Sequence, residues 1–215
     1  MTIEKHFLSE SVSYPDYLEM VRGLLSQNKT TGPNQSEAMI HYTDMSVRRM
    51  DRLNRTVKLL PELESAALAW WSKPTIWLVI TEGWCGDAAQ VLPVIHRLAE
   101  NQAHITLRCI LRDEYPGLID QFLTNGSRSI PKVLVTDPDS GEVLYVWGPR
   151  PVPAQKLVMK GRDAMQAIGD ETERKAFYQN LQLKLQKWYA RDKTRTLQLE
   201  LAEGLASAKK GLADT

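Results

Sequence analysis

Apolar residues recur along this chain first at helical spacing, then at strand spacing, then at helical spacing again. Between Asp16 and Leu25, Tyr17, Met20, Val21 and Leu24 fall on one helix face. The stretch Asn28 to Asn34, with Gly32-Pro33, reads as a turn. A second helix is predicted from Asn34 or Ser36, since either residue can cap it. Its apolar stripe runs through Met50, Leu53, Val57 and Leu60, while Arg48, Arg49, Arg52, Arg55 and Lys58 crowd the other side. Pro61 predicts a break before a further helix over Leu63 to Trp71.

The middle of the chain alternates. Ile76 to Ile80 is a continuous apolar run, the pattern of a strand buried on both faces. Ala88, Val91, Leu92, Ile95, Leu98 and Ala99 repeat at helical spacing. His104 to Leu111 reads as a strand with Ile105, Leu107, Cys109 and Leu111 on one face. Pro116 suits the first turn of a short helix through Leu118 and Phe122. Lys132 to Thr136 and Glu142 to Trp147 are two strands joined by the turn Asp137-Pro138-Asp139-Ser140-Gly141. Pro153 opens a helix carrying Leu157, Ala164, Met165 and Ile168. After Gly169 the pattern is helical, with Phe177, Leu181, Leu185 and Trp188 on one stripe.

The predicted core order is β-α-β-α-β-β-α, an α/β fold with a central mixed sheet of four or slightly more strands flanked by helices. Three zones follow: an N-terminal helical extension over 1–72, a core over 73–168 and a C-terminal helical extension over 169–215 packed on it. The Trp70-Trp71 pair and Trp188 are expected to anchor the added helices. No internal repeat or low-complexity tract occurs.

Composition narrows the classes. The chain has 215 residues, 43% hydrophobic and 25% charged, which is ordinary for a globular protein. A net charge of +1 gives no bias toward nucleic acid or an anionic membrane. The basic helix side therefore reads as a solvated face rather than a phosphate or RNA site. No run is long enough to span a bilayer, and the first ten residues lack an apolar core of signal-peptide length. Only Cys85 and Cys109 are present, so this is no disulfide scaffold, and the expected compartment is the reducing cytoplasm. His6, His41, His96 and His104 have no spacing that pairs them as metal ligands with each other or with Cys85. No metal site and no resident cofactor is expected.

The chemistry points to Cys85. It follows a strand and opens a helix within Thr81-Glu82-Gly83-Trp84-Cys85-Gly86-Asp87-Ala88. A helix N-terminus offers unpaired N–H groups and the positive dipole end, and both favour thiolate over thiol. Asp87 works against a second negative charge nearby. The expectation is an exposed, reactive Cys85 thiol with a modestly depressed pKa. Cys109, mid-strand among Leu107 and Leu111, reads as core, and a Cys85–Cys109 bridge is not expected.

The element order, the Trp84-Cys85-Gly86 segment and Gly126-Ser127-Arg128-Ser129-Ile130-Pro131 resemble the thioredoxin family over Lys73 to Ile168. The chain is most similar to a bacterial branch whose core is wrapped by extra helices. Trp147-Gly148-Pro149-Arg150-Pro151 and Leu111-Arg112-Asp113-Glu114 resemble that branch too. The resemblance implies a cis peptide at Ile130–Pro131 beside the active cysteine. It also implies a substrate groove formed by Trp84, Gly86, Asp87, Ala88, Ile130 and Pro131, where Ile130 would meet an extended substrate as an added strand does.

Three positions depart from the family pattern. Asp87 replaces the usual proline, Ala88 replaces the second cysteine, and Val79 stands where a buried acid often serves that cysteine. The implied chemistry is monothiol: Cys85 attacks a protein disulfide or a mixed disulfide with glutathione or another low-molecular-weight thiol, and an external thiol resolves the product. Arg128 is a candidate contact for an anionic thiol compound, against the simpler reading of a solvated loop residue. The alternative function is a non-catalytic binding or redox-sensing module. A disulfide-containing protein or a small thiol is the expected partner, with no nucleic acid and no membrane.

Overall fold

In the computed structural model, which describes residues 1–70 and 73–213, the chain begins with α1 (Lys5–Glu10), β1 (Val12–Ser13) and α2 (Tyr14–Ser26). The helices α3 (Glu37–Thr56) and α4 (Pro61–Trp70) follow. The core runs β2 (Thr75–Thr81), α5 (Ala88–Asn101), β3 (Ile105–Leu111), α6 (Pro116–Ile119) with a 3-10 turn over Asp120–Phe122, β4 (Lys132–Thr136), β5 (Val143–Trp147) and α7 (Val152–Gln166). Two helices close the chain, α8 (Glu171–Asp192) and α9 (Arg195–Ala213). The expectation that Trp70 and Trp71 anchor helices in the core concerns side chains outside the described residues.

The sheet order is β1-β3-β2-β4-β5. β2 runs parallel to β3 and antiparallel to β4, which in turn pairs antiparallel with β5. The central place of β2 explains its unbroken apolar run. Helices cover both of its faces, and Leu78, Val79 and Ile80 have no exposed surface. β3 lies one strand out, and its pattern softens. Ile105, Leu107 and Cys109 are buried while Thr106 is exposed.

Two features escaped periodicity. β1 is a two-residue strand that pairs Val12 with Cys109 and makes the sheet five-stranded. Two residues are too few for any period to register. The C-terminal helical zone is broken between α8 and α9 by Lys193 (φ 52°) and Thr194 (φ 67°). Left-handed conformations there are normally signalled by Gly or Asn, and neither occurs at this turn.

The added helices are tied down by specific contacts. α3 packs on α5, and α9 lies between α4 and β5. α7 and α8 form a small second core of Ala154, Val158, Leu185 and Tyr189, with half-buried Trp188 against it. A methyl group at Gly161 would come within 2.5 Å of Leu181, so glycine lets α8 lie close on α7. This brings α8 across the end of the sheet where β2 stops.

Candidate functional site

The loop after β2 is held from below. Glu82 has no exposed surface, and its carboxylate accepts hydrogen bonds from the Asp113 N–H (2.8 Å) and the Thr31 hydroxyl. Thr31 Oγ1 in turn accepts from the Gly83 N–H (2.8 Å). Burial raises the Glu82 carboxyl above its ordinary value, against these donors. At the end of β3, Arg112 pairs with Asp113 (2.7 Å) and lays its guanidinium 4.8 Å from the centre of the Trp84 ring. The Leu111-Arg112-Asp113-Glu114 segment thus braces the loop that carries Cys85.

Cys85 is only 6% exposed. The Ala88 N–H lies 3.4 Å from its sulfur, and the sulfur lies 3.5 Å from the Ile130 carbonyl oxygen, to which the thiol donates. The Ile130–Pro131 peptide is cis, and both residues are buried. Burial pushes the Cys85 thiol up to about 12, with Asp87 adding to the shift and the Ala88 N–H and Arg150 opposing it. This corrects the expectation of an exposed thiol with a depressed pKa. The helix-end field is worth about 0.3–1 kcal/mol, less than one pKa unit of roughly 1.4 kcal/mol. Full desolvation moves a group by up to about 3–5 units. The covering helices therefore outweigh the helix dipole.

Asp87 is not a solvated helix-end acid. Its carboxylate meets Arg150 Nη2 at 2.7 Å and accepts from the Tyr189 hydroxyl at 2.7 Å, with side-chain exposures of 8% for Asp87 and 13% for Arg150. Burial pushes its carboxyl up, and Arg150 and Tyr189 hold it back. Gly148 makes this possible. It sits at φ +117°, and a side chain there would run into the Pro131 carbonyl. The Trp147-Gly148-Pro149-Arg150-Pro151 segment thereby passes close to Pro131 and delivers Arg150 to Asp87.

The remaining expected groove residues have distinct roles. Ala88 is 1% exposed and serves the sulfur through its backbone. A methyl at Gly86 would lie 3.1 Å from Arg49 Nη1 and 3.4 Å from Gln186 Nε2. What approaches closely at Gly86 is therefore side chains of α3 and α8. Arg128 turns its fork onto Asp120 (2.6 and 2.7 Å) in an exposed pair, and that pairing raises its pKa. As an anion contact it already has a partner. Val79 is fully buried opposite Cys109 in the β2–β3 register. Cys109 is 1% exposed, its thiol is pushed up by burial, and neither cysteine is in a disulfide. Among the described residues, no cluster of three or more His, Cys, Asp and Glu is placed to hold a metal, and no helix is long and apolar enough to cross a membrane.

Above Cys85 lies a cleft of about 880 Å³. Its floor is the Trp84–Asp87 loop and Ile130, and α3 and α8 form its walls. The family model described as Thioredoxin matches residues 32–193. The chain belongs to the thioredoxin family. The match is wider than the Lys73–Ile168 resemblance and takes in all of α3 and α8, the two cleft walls. Two crystal structures are similar to this thioredoxin-family chain. One is an HIV epitope-scaffold, 16% identical, covering 95% of this chain and 99% of that one with a TM-score of 0.46. The other is a protein of unknown function from Pseudomonas aeruginosa, 17% identical, covering 94% and 98% with a TM-score of 0.46. No curated protein matches.

Sequence reasoning missed the outer residues of this thioredoxin-family site. Arg49 belongs to the stripe that spacing assigns to solvent, yet its guanidinium hangs over Gly86. Tyr189 and Gln186 carried no signal. Their neighbourhood to Leu185 marks only their helix, since their partners Asp87 and Gln90 lie about a hundred residues away.

Proposed function

We propose that this thioredoxin-family protein carries out monothiol thiol–disulfide exchange on a disulfide-containing substrate seated in the cleft, with Cys85 as the attacking sulfur. The observation that carries the reading is the placement of Cys85 Sγ at the cleft floor, between the Ala88 N–H at 3.4 Å and the Ile130 carbonyl at 3.5 Å. Cys85, once ionised, attacks one sulfur of the substrate. The substrate S–S bond breaks, a Cys85 mixed disulfide forms, and the other half leaves as a thiolate that takes up the proton. Position 88 offers no second sulfur, so an external low-molecular-weight thiol attacks the mixed disulfide and restores Cys85. Glutathione fits that co-substrate role, and the reducing cytoplasm is the compartment this chemistry suits. Trp84 and Ile130-Pro131 shape the groove.

A second reading is favoured by one observation, the Cys85 thiol pushed up to about 12. A thiol that stays protonated at neutral pH suits a binding or redox-sensing module. The test is turnover of a fluorogenic glutathione mixed disulfide with excess thiol. Exchange activity present in the parent and lost in Cys85→Ser supports the first reading. No turnover in the parent assigns the cleft to binding.

A further inference from the structure

We infer that the cleft over Cys85 is a binding site for a small organic anion with an apolar body, and that Arg49 on α3 and Arg162 on α7 select for its charge. Five arginines line the cleft, Arg49, Arg112, Arg128, Arg150 and Arg162, against a single acid, Asp87. Three of them are matched one to one: Arg112 by Asp113, Arg128 by Asp120 and Arg150 by Asp87. Arg49 and Arg162 have no ion pair or hydrogen bond among the described residues, which leaves two positive charges unbalanced.

Arg49 is the more telling of the two. It is half-buried, and burial lowers its pKa even though Asp87 lies near enough to oppose that. A guanidinium held part-way out of water without a carboxylate of its own is poised for an anion, because charge-assisted and bidentate bonds to carboxylate or phosphate are the strongest it can make. The Asp87 charge is already shared with Arg150 and Tyr189.

The walls define the rest of the ligand. Leu183 and Tyr178 on α8 line the cleft at 61% and 41% exposure and offer apolar surface to a ligand there. Met39 and Met45 on α3 line the opposite wall, and methionine adapts to varied shapes. A volume of about 880 Å³ falls in the range of small-molecule sites, roughly 300–1,000 Å³. The proposal rests on the cleft alone and holds whether or not Cys85 exchanges disulfides.

Titration calorimetry of the full chain with 2-naphthoate, 2-naphthyl phosphate and neutral 2-naphthamide tests it. At least one anion is expected to bind about tenfold or more tightly than the amide, with the preference shrinking as salt rises. Whichever anion binds more tightly identifies the headgroup as carboxylate or phosphate. Arg49→Gln and Arg162→Gln should each remove about tenfold of anion affinity while leaving the amide unchanged. The assay holds no thiol and no disulfide, so it reads binding alone and separates this site from the exchange reaction. Equal binding of acids and amide, anion affinity indifferent to both arginine variants, or no anion binding overturns the proposal. Arg162 is exposed, so its variant reads charge without disturbing the core, and the salt series on the parent protein gives the same reading without any substitution.

Discussion

Cys85 and Cys109 share burial, a free thiol and a pKa raised by desolvation, yet they occupy opposite kinds of environment. Cys109 sits within the sheet, paired in register with Val79 on one side and Val12 on the other. Cys85 sits at the floor of a cleft, with a backbone donor, a backbone acceptor and the Asp87–Arg150–Tyr189 cluster around it. Equal burial therefore hides unequal access. Cys85 borders a cleft of about 880 Å³ that can seat a ligand, whereas Cys109 borders a space of only about 60 Å³.

The sharpest break of that comparison is selective labelling. Native protein treated with iodoacetamide and read by intact mass should take up one equivalent, at Cys85. Cys85→Ser should abolish native labelling and Cys109→Ala should leave it. A native adduct on Cys109 would erase the distinction.

The next effect lies in pH. A thiol held near 12 carries on the order of a thousandfold less thiolate at neutral pH than one at about 8.5. The Cys85 labelling rate should climb about tenfold per pH unit from 7 to 10, with no plateau near 8.5. Asp87→Asn removes a negative neighbour and should shift the curve to lower pH. The sign for stability follows. The folded state holds this proton more tightly than the unfolded chain, so its contribution is present below about 8.5 and is lost as pH rises toward 12. A labelling plateau below pH 9 would show that the sulfur is solvated.

Smaller in scale is the cluster that distinguishes the Cys85 loop from the sheet. Arg150→Met should destabilise the protein by about 3–5 kcal/mol in chemical denaturation, because it leaves a buried carboxylate without its cation. A loss under about 1 kcal/mol would mean that Asp87 is in contact with water. Tyr189→Phe removes one donor from the same carboxylate and should cost about 1–3 kcal/mol. It should also speed Cys85 labelling, if α8 loosens over the cleft, and unchanged stability would detach α8 from the site.

Much of this fold was legible because the relevant forces are local and periodic. The unbroken run at Ile76–Ile80, the helical repeat from Ala88 to Ala99 and the alternation around Cys109 each report how a segment must bury its apolar side, and β2, α5 and β3 follow them. The Asp137–Gly141 turn was equally clear, since Asp137 Oδ1 caps the Asp139 and Ser140 N–H groups and Gly141 takes φ +74°. The position of Cys85 at a strand-to-helix junction was legible for the same reason.

The electrostatic state of that sulfur was not, because it depends on which side chains exclude water from it. Those arrive from afar: Arg150 through a glycine that lets its segment pass Pro131, Tyr189 and Gln186 from α8, and Arg49 from α3. The sequence by itself determined the four core strands, the thioredoxin-like order of elements and the presence of one thiol with no partner at position 88. Only the tertiary structure decided that this thiol is buried, that Asp87 is locked rather than solvated, and that two arginines over the cleft have no ion pair among the described residues. Spacing along a chain encodes which face of an element turns inward, while desolvation and ion pairing are set by what folds back across it.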